Sequence, residues 1–149
     1  MKKLLLIIGE GPTRDEDVAE FLDRFGGVPH DFCGINRAAG KVQGIDFAYS
    51  YHPEMLEEMA IPKGIRLLSC NLDENLVDTT GSSARQAALL ALKDWGYHGV
   101  VLAGVSLTGH HESFRPAWEP HPRMRSMSGY LCGLLGEPSV VWCEWCLKK

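Results

Sequence analysis

The chain has 149 residues, 45% of them hydrophobic, enough for one compact core and too few to expect two. Its formal net charge of −4, with no run of Lys or Arg, gives no footprint for a nucleic-acid backbone or an anionic membrane surface. The opening MKKLLLII imitates a signal peptide, but it runs into glycines without a small-residue cleavage site, and no later segment approaches the roughly 20 apolar residues of a membrane span.

A cytoplasmic protein with neither nucleic-acid nor membrane partner is therefore expected. In chain order, residues 3–8 read as a fully buried strand, followed by the turn Gly9-Glu10-Gly11-Pro12. Thr13 and Glu16 have capping-box spacing, and Val18, Phe21, Leu22 and Phe25 follow at i, i+3, i+4 and i+7, so a helix is predicted up to Gly26-Gly27. A second strand, 30–35, ends in Asn36-Arg37. A third, 45–51, ends in His52-Pro53, where Pro53 opens a short helix through Met59. A fourth strand at 65–70 leads through a polar stretch, 71–80, to Gly81-Ser82-Ser83 and a long alanine-rich helix, 84–95. Ser83 and Gln86 again have capping-box spacing, and Gly96 stands where a helix ends. Residues 100–105 read as a central strand, 106–122 as a loop rich in His, Pro and Trp, 123–135 as a last helix and 139–146 as a last strand. Strands alternating with helices at these spacings imply an α/β domain, a three-layer Rossmann-like architecture with a mainly parallel sheet and helices on both faces. In such sheets ligands bind beyond the carboxyl ends of the strands, where the unusual loops of this chain fall.

Glycines at 9 and 11 let a backbone turn sharply and approach a ligand closely, and a helix N-terminus offers unpaired N–H groups to a phosphate. Arg14 occupies the position where a dinucleotide fingerprint needs its third glycine, and the GK[ST] of a P-loop is absent, so NAD and ATPase readings both weaken. The second turn, Thr79-Thr80-Gly81-Ser82-Ser83, suits phosphate, ribose hydroxyls or a sugar carboxylate, with Arg85 able to add a charged contact. His110, His111, Glu112 and His121 have ligand types that suit zinc, but no recognised spacing fixes them, so no metal site is expected. His121, between two prolines, is a candidate general base because its ordinary pKa lies near working pH. The odd set Cys33, Cys70, Cys132, Cys143 and Cys146 lies in apolar segments, as reduced, packed thiols do.

The segments LLLIIGEGPTRDE, CGINRAA, IDFAYSYHPEML and TTGSSARQAALLALKDWGYHGVVLAGVSL resemble, in order, motifs of the bacterial CMP-sialic-acid-dependent sialyltransferases. They equally resemble the related domain of archaeal 6-hydroxymethylpterin diphosphokinase. The likeness runs from Lys3 to Leu107 and more loosely beyond. It implies a single nucleotide-binding α/β domain over 1–149 that binds a nucleotide or nucleotide-sugar, with glycosyl transfer as its chemistry. On this resemblance Gly9, Gly11, Pro12 and Thr13 line the nucleotide phosphate and ribose, with Asn36 and Arg37 beside them. Thr80, Gly81, Ser82 and Ser83 contact the donor, and His121 is the general base. Glu10 replaces the family's asparagine, and Ser106 stands where an acid is usual. The alternatives are an ATP-dependent diphosphotransferase, which would need Mg²⁺ and for which Asp73, Asp78 and Glu10 are candidate ligands, and a non-catalytic binding module. The apolar final segment (Val140, Val141, Trp142, Trp145) is expected to pair as a strand with another copy in a homo-oligomer.

Overall fold

A computed structural model describes residues 2–50, 64–69 and 82–148. Strand β1 (Leu4–Ile8) is wholly buried. It pairs in parallel with β2 (His30–Ile35) on one side and β5 (Gly99–Ala103) on the other, which explains its unbroken apolar run. Adding β3 (Phe47–Ser50), β4 (Arg66–Ser69) and β6 (Met124–Ser126) gives a six-stranded, all-parallel sheet in the order β4-β3-β2-β1-β5-β6. The predicted α/β architecture is present. The chain builds outward from β1 to β4 and then crosses back to β5, so strand order reverses between β1 and β5.

Alternation along β1 distributes the core over two faces. Leu4, Leu6 and Ile8 meet Phe21 and Phe25 of α1 (Arg14–Phe25) and Trp142, Cys143 and Cys146 of α4 (Val140–Leu147). Leu5 and Ile7 meet Ala84, Ala87, Ala88 and Ala91 of α2 (Ser83–Lys93) and Leu131 and Leu135 of α3 (Gly129–Leu135). The small side chains of α2 let it lie close to the sheet. Each fully buried phenylalanine of α1 stabilises by roughly 1.5–3 kcal/mol. Among the described residues no helix is long and apolar enough to cross a membrane.

Two expectations for the C-terminal third are overturned. Residues 123–135 are not one helix: Met124–Ser126 continues the sheet, with Val100 N–H donating to the Arg123 carbonyl and Met127 N–H to that of Leu102. The helix begins only at Gly129, whose φ is +72°. The expected last strand is helix α4. Its Ser139 hydroxyl caps the Trp142 N–H at 3.1 Å, and burial of Trp142, Cys143 and Cys146 follows helical spacing. Copies of this chain therefore have no C-terminal strand through which to pair. The expected Pro53 helix lies outside the described residues, as does the polar stretch 71–80.

The capping boxes also differ from expectation. Thr13 occupies the N-cap of α1 but makes no side-chain cap; its hydroxyl donates instead to Asp17 Oδ2 at 3.0 Å. At α2 the cap is Ser82 rather than Ser83, its Oγ accepting from the Arg85 N–H at 3.3 Å.

Candidate functional site

The β1–α1 turn is fixed by its neighbour across the strand-order reversal. Gly9 N–H donates to the Ala103 carbonyl at 2.8 Å and Gly11 N–H to that of Gly104 at 2.6 Å. A Cβ on Gly9 would stand 2.8 Å from the Gly104 oxygen and one on Gly11 2.5 Å from it, so both positions exclude any side chain. Gly104 has a φ of +66°. Its N–H donates to the Oδ2 of Asp17 at 2.9 Å. The same oxygen accepts from the hydroxyls of Thr13 at 3.0 Å and Ser128 at 2.7 Å. One carboxylate, only 4% exposed, thus ties the first turn of α1 to the loop after β5 and to the start of α3.

Above this staple lies a cavity of about 440 Å³, within the roughly 300–1,000 Å³ range of small-molecule sites. Its walls are the turn Gly9 to Pro12, the end of β2 at Ile35 and Asn36, the head of α2 at Ser82 to Ala84, and the loop Gly104 to Thr108, with His111 and Phe114 at the side. His111 stacks on Phe114 with ring centroids 5.7 Å apart. The β1–α1 turn and the described end of the second turn, Ser82-Ser83, therefore converge on one crevice at the carboxyl ends of β1, β2 and β5, where the strand order reverses.

Two features mark this crevice as more than a gap between loops. Among the described residues, Asn36 (φ +53°) and Leu107 (φ +52°) are the non-glycine residues in left-handed backbone, and both line it. Leu107 is held there by burial and by Arg115 Nε, which donates to its carbonyl at 3.0 Å. The Oδ1 of Asn36 is buried and has no hydrogen-bond partner among the described residues, an arrangement that a ligand's donor would relieve.

The lining is mainly apolar (Ile35, Val105, Leu107, Phe114), with hydroxyls at Ser82, Ser83, Ser106 and Thr108. Among the described residues that line it, none is Lys or Arg, and Glu10 is the carboxylate, its Oε1 4.0 Å from the Nζ of Lys41. The first turn of α1 carries Asp15, Glu16 and Asp17, whereas that of α2 carries no acid, so no side chain of that turn offsets the positive end of the α2 dipole beside the crevice.

The sequence-predicted residues divide accordingly. Gly9, Gly11, Pro12, Asn36, Ser82 and Ser83 line the cavity. Thr13 is spent on Asp17 and Ser128, and Arg37 is exposed in the 3₁₀ turn Asn36–Gly40. Arg85 donates its Nε to the Ala117 carbonyl at 2.9 Å and lines a separate cavity of about 220 Å³. That second cavity, not the crevice, also contains His121. The histidine sits just before the N-terminal end of β6, and its Nδ1 accepts from the Arg123 N–H at 3.0 Å. Partial burial and the nearby Arg123 charge hold its pKa below the usual histidine value. Thr80 and Gly81 lie outside the described residues, as do Asp73, Asp78 and Cys70.

Leu107 and Phe114 were missed as lining residues; only the positive φ at Leu107 marks that position, and φ is not written in a sequence. Among the described residues no three His, Cys, Asp or Glu side chains gather as a metal ion requires. Burial, with the neighbouring Cys146, pushes the Cys143 thiol up to about 11, and burial also raises Cys146, so this pair on α4 stays protonated and packed. Comparison with protein-family models, curated proteins and solved structures finds no match for the chain.

Proposed function

We propose that the crevice binds a nucleotide or nucleotide-sugar, with the nucleoside among Ile35, Val105, Leu107 and Phe114 and the polar end of the ligand at the head of α2. The observation that carries this reading is the convergence of the turn after β1, Asn36 after β2 and the Ser82-Ser83 turn on one cavity at the strand-order reversal. The resemblance noted above assigns those same positions to the nucleotide and the donor. An aromatic wall suits a base, and the hydroxyls suit ribose or sugar.

Glycosyl transfer is the chemistry this reading favours. The acceptor oxygen bonds to the donor's anomeric carbon as that carbon's bond to the phosphate oxygen breaks, its electron pair leaving with the phosphate. The acceptor proton needs a base at the reacting carbon. His121 lines the second cavity rather than the crevice, and among the described lining residues His111 is the imidazole. His111 therefore takes the role of base in this proposal.

Calorimetric titration with CMP, CDP, ATP and GTP, with and without Mg²⁺, tests the reading. Binding of CMP without metal is the expected result. Binding of ATP only with Mg²⁺ would favour diphosphate transfer instead, and no binding of any would leave a folded module without nucleotide chemistry. If a donor is hydrolysed, His111→Ala should lower the rate by roughly 10²–10⁴-fold, the usual worth of a general base, and His121→Ala should leave it unchanged.

A further inference from the structure

We propose that the outer face of α4 is a self-association surface, on which a second copy of this chain packs its own α4 antiparallel about a two-fold axis.

Helix α4 is apolar on nearly every side: within Val140–Leu147, Glu144 is the one charged residue. A helix of that composition belongs inside a core. Within one chain only one side of it is covered. Trp142, Cys143 and Cys146 are buried in the cluster that holds Leu4, Leu6 and Ile8, while Val140, Val141 and Trp145 remain 55%, 76% and 43% exposed. Val141 and Trp145, four residues apart, lie one above the other along the helix, with Val140 at their flank. The Trp145 ring is already positioned, since the Arg123 guanidinium carbon lies 4.7 Å from its centroid. A ring so held loses little freedom when a partner covers it.

Charge selects both the occupant and its direction. Exposed Glu137 stands just ahead of the helix, and exposed Lys148 caps its C-terminal end. A parallel pair of helices would set Glu137 against Glu137 and Lys148 against Lys148. In an antiparallel pair whose two-fold axis passes beside Cys143, Val141 of each copy meets Trp145 of the other. Lys148 then lies opposite residue 138, one residue's rise, about 1.5 Å, from Glu137 of the second copy. The two ion pairs and the opposed helix dipoles favour the same arrangement. Glu144 lies roughly a quarter turn away from the line of Val141 and Trp145, at a solvated rim where charges are screened.

Size sets the strength. Eight residues span about 12 Å, so the face falls short of the roughly 1,200–2,000 Å² of a standard interface. Association is weak and reversible, with a dissociation constant on the order of 10–100 µM. No described residue of the crevice wall comes from α4, so pairing leaves the crevice open.

Sedimentation equilibrium of the whole chain from about 5 to 500 µM tests the proposal, and the average mass should climb from monomer towards dimer across that range. Val141→Glu should raise the dissociation constant at least about tenfold, with the melting temperature of the dilute protein unchanged because the position is so exposed. Glu137→Lys and Lys148→Glu should each weaken association about three- to fivefold, and the two together should restore it to within about twofold of the unaltered chain. Restoration by the doubly exchanged chain is specific to the antiparallel pair. A mass that stays monomeric up to about 500 µM, a dimer unmoved by Val141→Glu, or a doubly exchanged chain no tighter than the single variants overturns the proposal. A chain that stays monomeric yet sediments with vesicles of phosphatidylcholine and phosphatidylglycerol also overturns it, and gives the face to a membrane surface.

Discussion

The turns that head α1 and α2 are written alike, glycine and hydroxyl residues before a helix, yet the fold uses them differently. At α1 the glycines are required by contact with Gly104, the N–H groups of Gly9 and Gly11 are satisfied within the protein, and Thr13 serves a buried carboxylate. At α2 the first turn has no acid and Ser82 supplies a side-chain cap, while Ser82, Ser83 and Ala84 face the crevice. The first turn is a joint, and the described head of the second helix is a wall of the crevice. A glycine before a helix thus marks close approach of something, and in this protein the something at α1 is the protein's own loop.

The most damaging way to break this contrast is Asp17→Ala. It removes the acceptor shared by Gly104 N–H, Thr13 and Ser128 and leaves the N–H of Gly104 without its partner. The loss should be about 4 kcal/mol in urea unfolding, since charged hydrogen bonds and stranded donors each cost on the order of 1.5–3 kcal/mol. Gly11→Ala should follow at about 3 kcal/mol, because the new methyl meets a backbone oxygen that can move only with the loop after β5. Were either variant as stable as the parent chain, the joint would be no joint. At the other turn Ser82→Ala should cost only about 1 kcal/mol, the worth of a lost cap. If the α2 turn holds the ligand's polar end, Ser82→Ala should also weaken CMP by more than the stability change explains. Isothermal titration alongside the melt separates the two effects.

Much of this fold was legible because β1, β2 and β5 are buried runs bounded by glycine or proline, and because α1 and α2 carry clear helical spacing. The C-terminal third was not. Three residues, Met124 to Ser126, are too few to display a period, although Met124 and Ser126 alternate with Arg125 in burial. In α4 the exposed Val140 and Val141 conceal the helical spacing of Trp142, Cys143 and Cys146, and β-branched residues read as strand until the Ser139 cap is seen. The glycine turn was found correctly, but its cause was hidden, since the atom that excludes a Cβ belongs to Gly104, far along the chain. Asn36 was singled out by the family resemblance alone. The chemistry that distinguishes it, a left-handed backbone and a stranded oxygen, exists only once β2, α2 and the β5 loop meet.

His121 supplies the smallest effect and the control for the comparison, because it belongs to neither turn. Outside the crevice, it should be replaceable by Gln without change in nucleotide affinity. Its effect should show in the pH dependence of stability instead. Desolvation, then the Arg123 charge, holds its folded pKa below the ordinary value of 6.5, and its Nδ1 is occupied as an acceptor of the Arg123 N–H. Above pH 6.5 the ring is neutral in both folded and unfolded chains and contributes no pH dependence. As pH falls through 6.5 the unfolded chain takes up the proton first, so stability declines until the folded pKa is passed. The urea midpoint of the unaltered chain should therefore drop more between pH 7 and pH 5 than that of His121→Gln. Parallel curves for the two proteins would mean that neither burial nor the Arg123 charge disfavours the protonated ring.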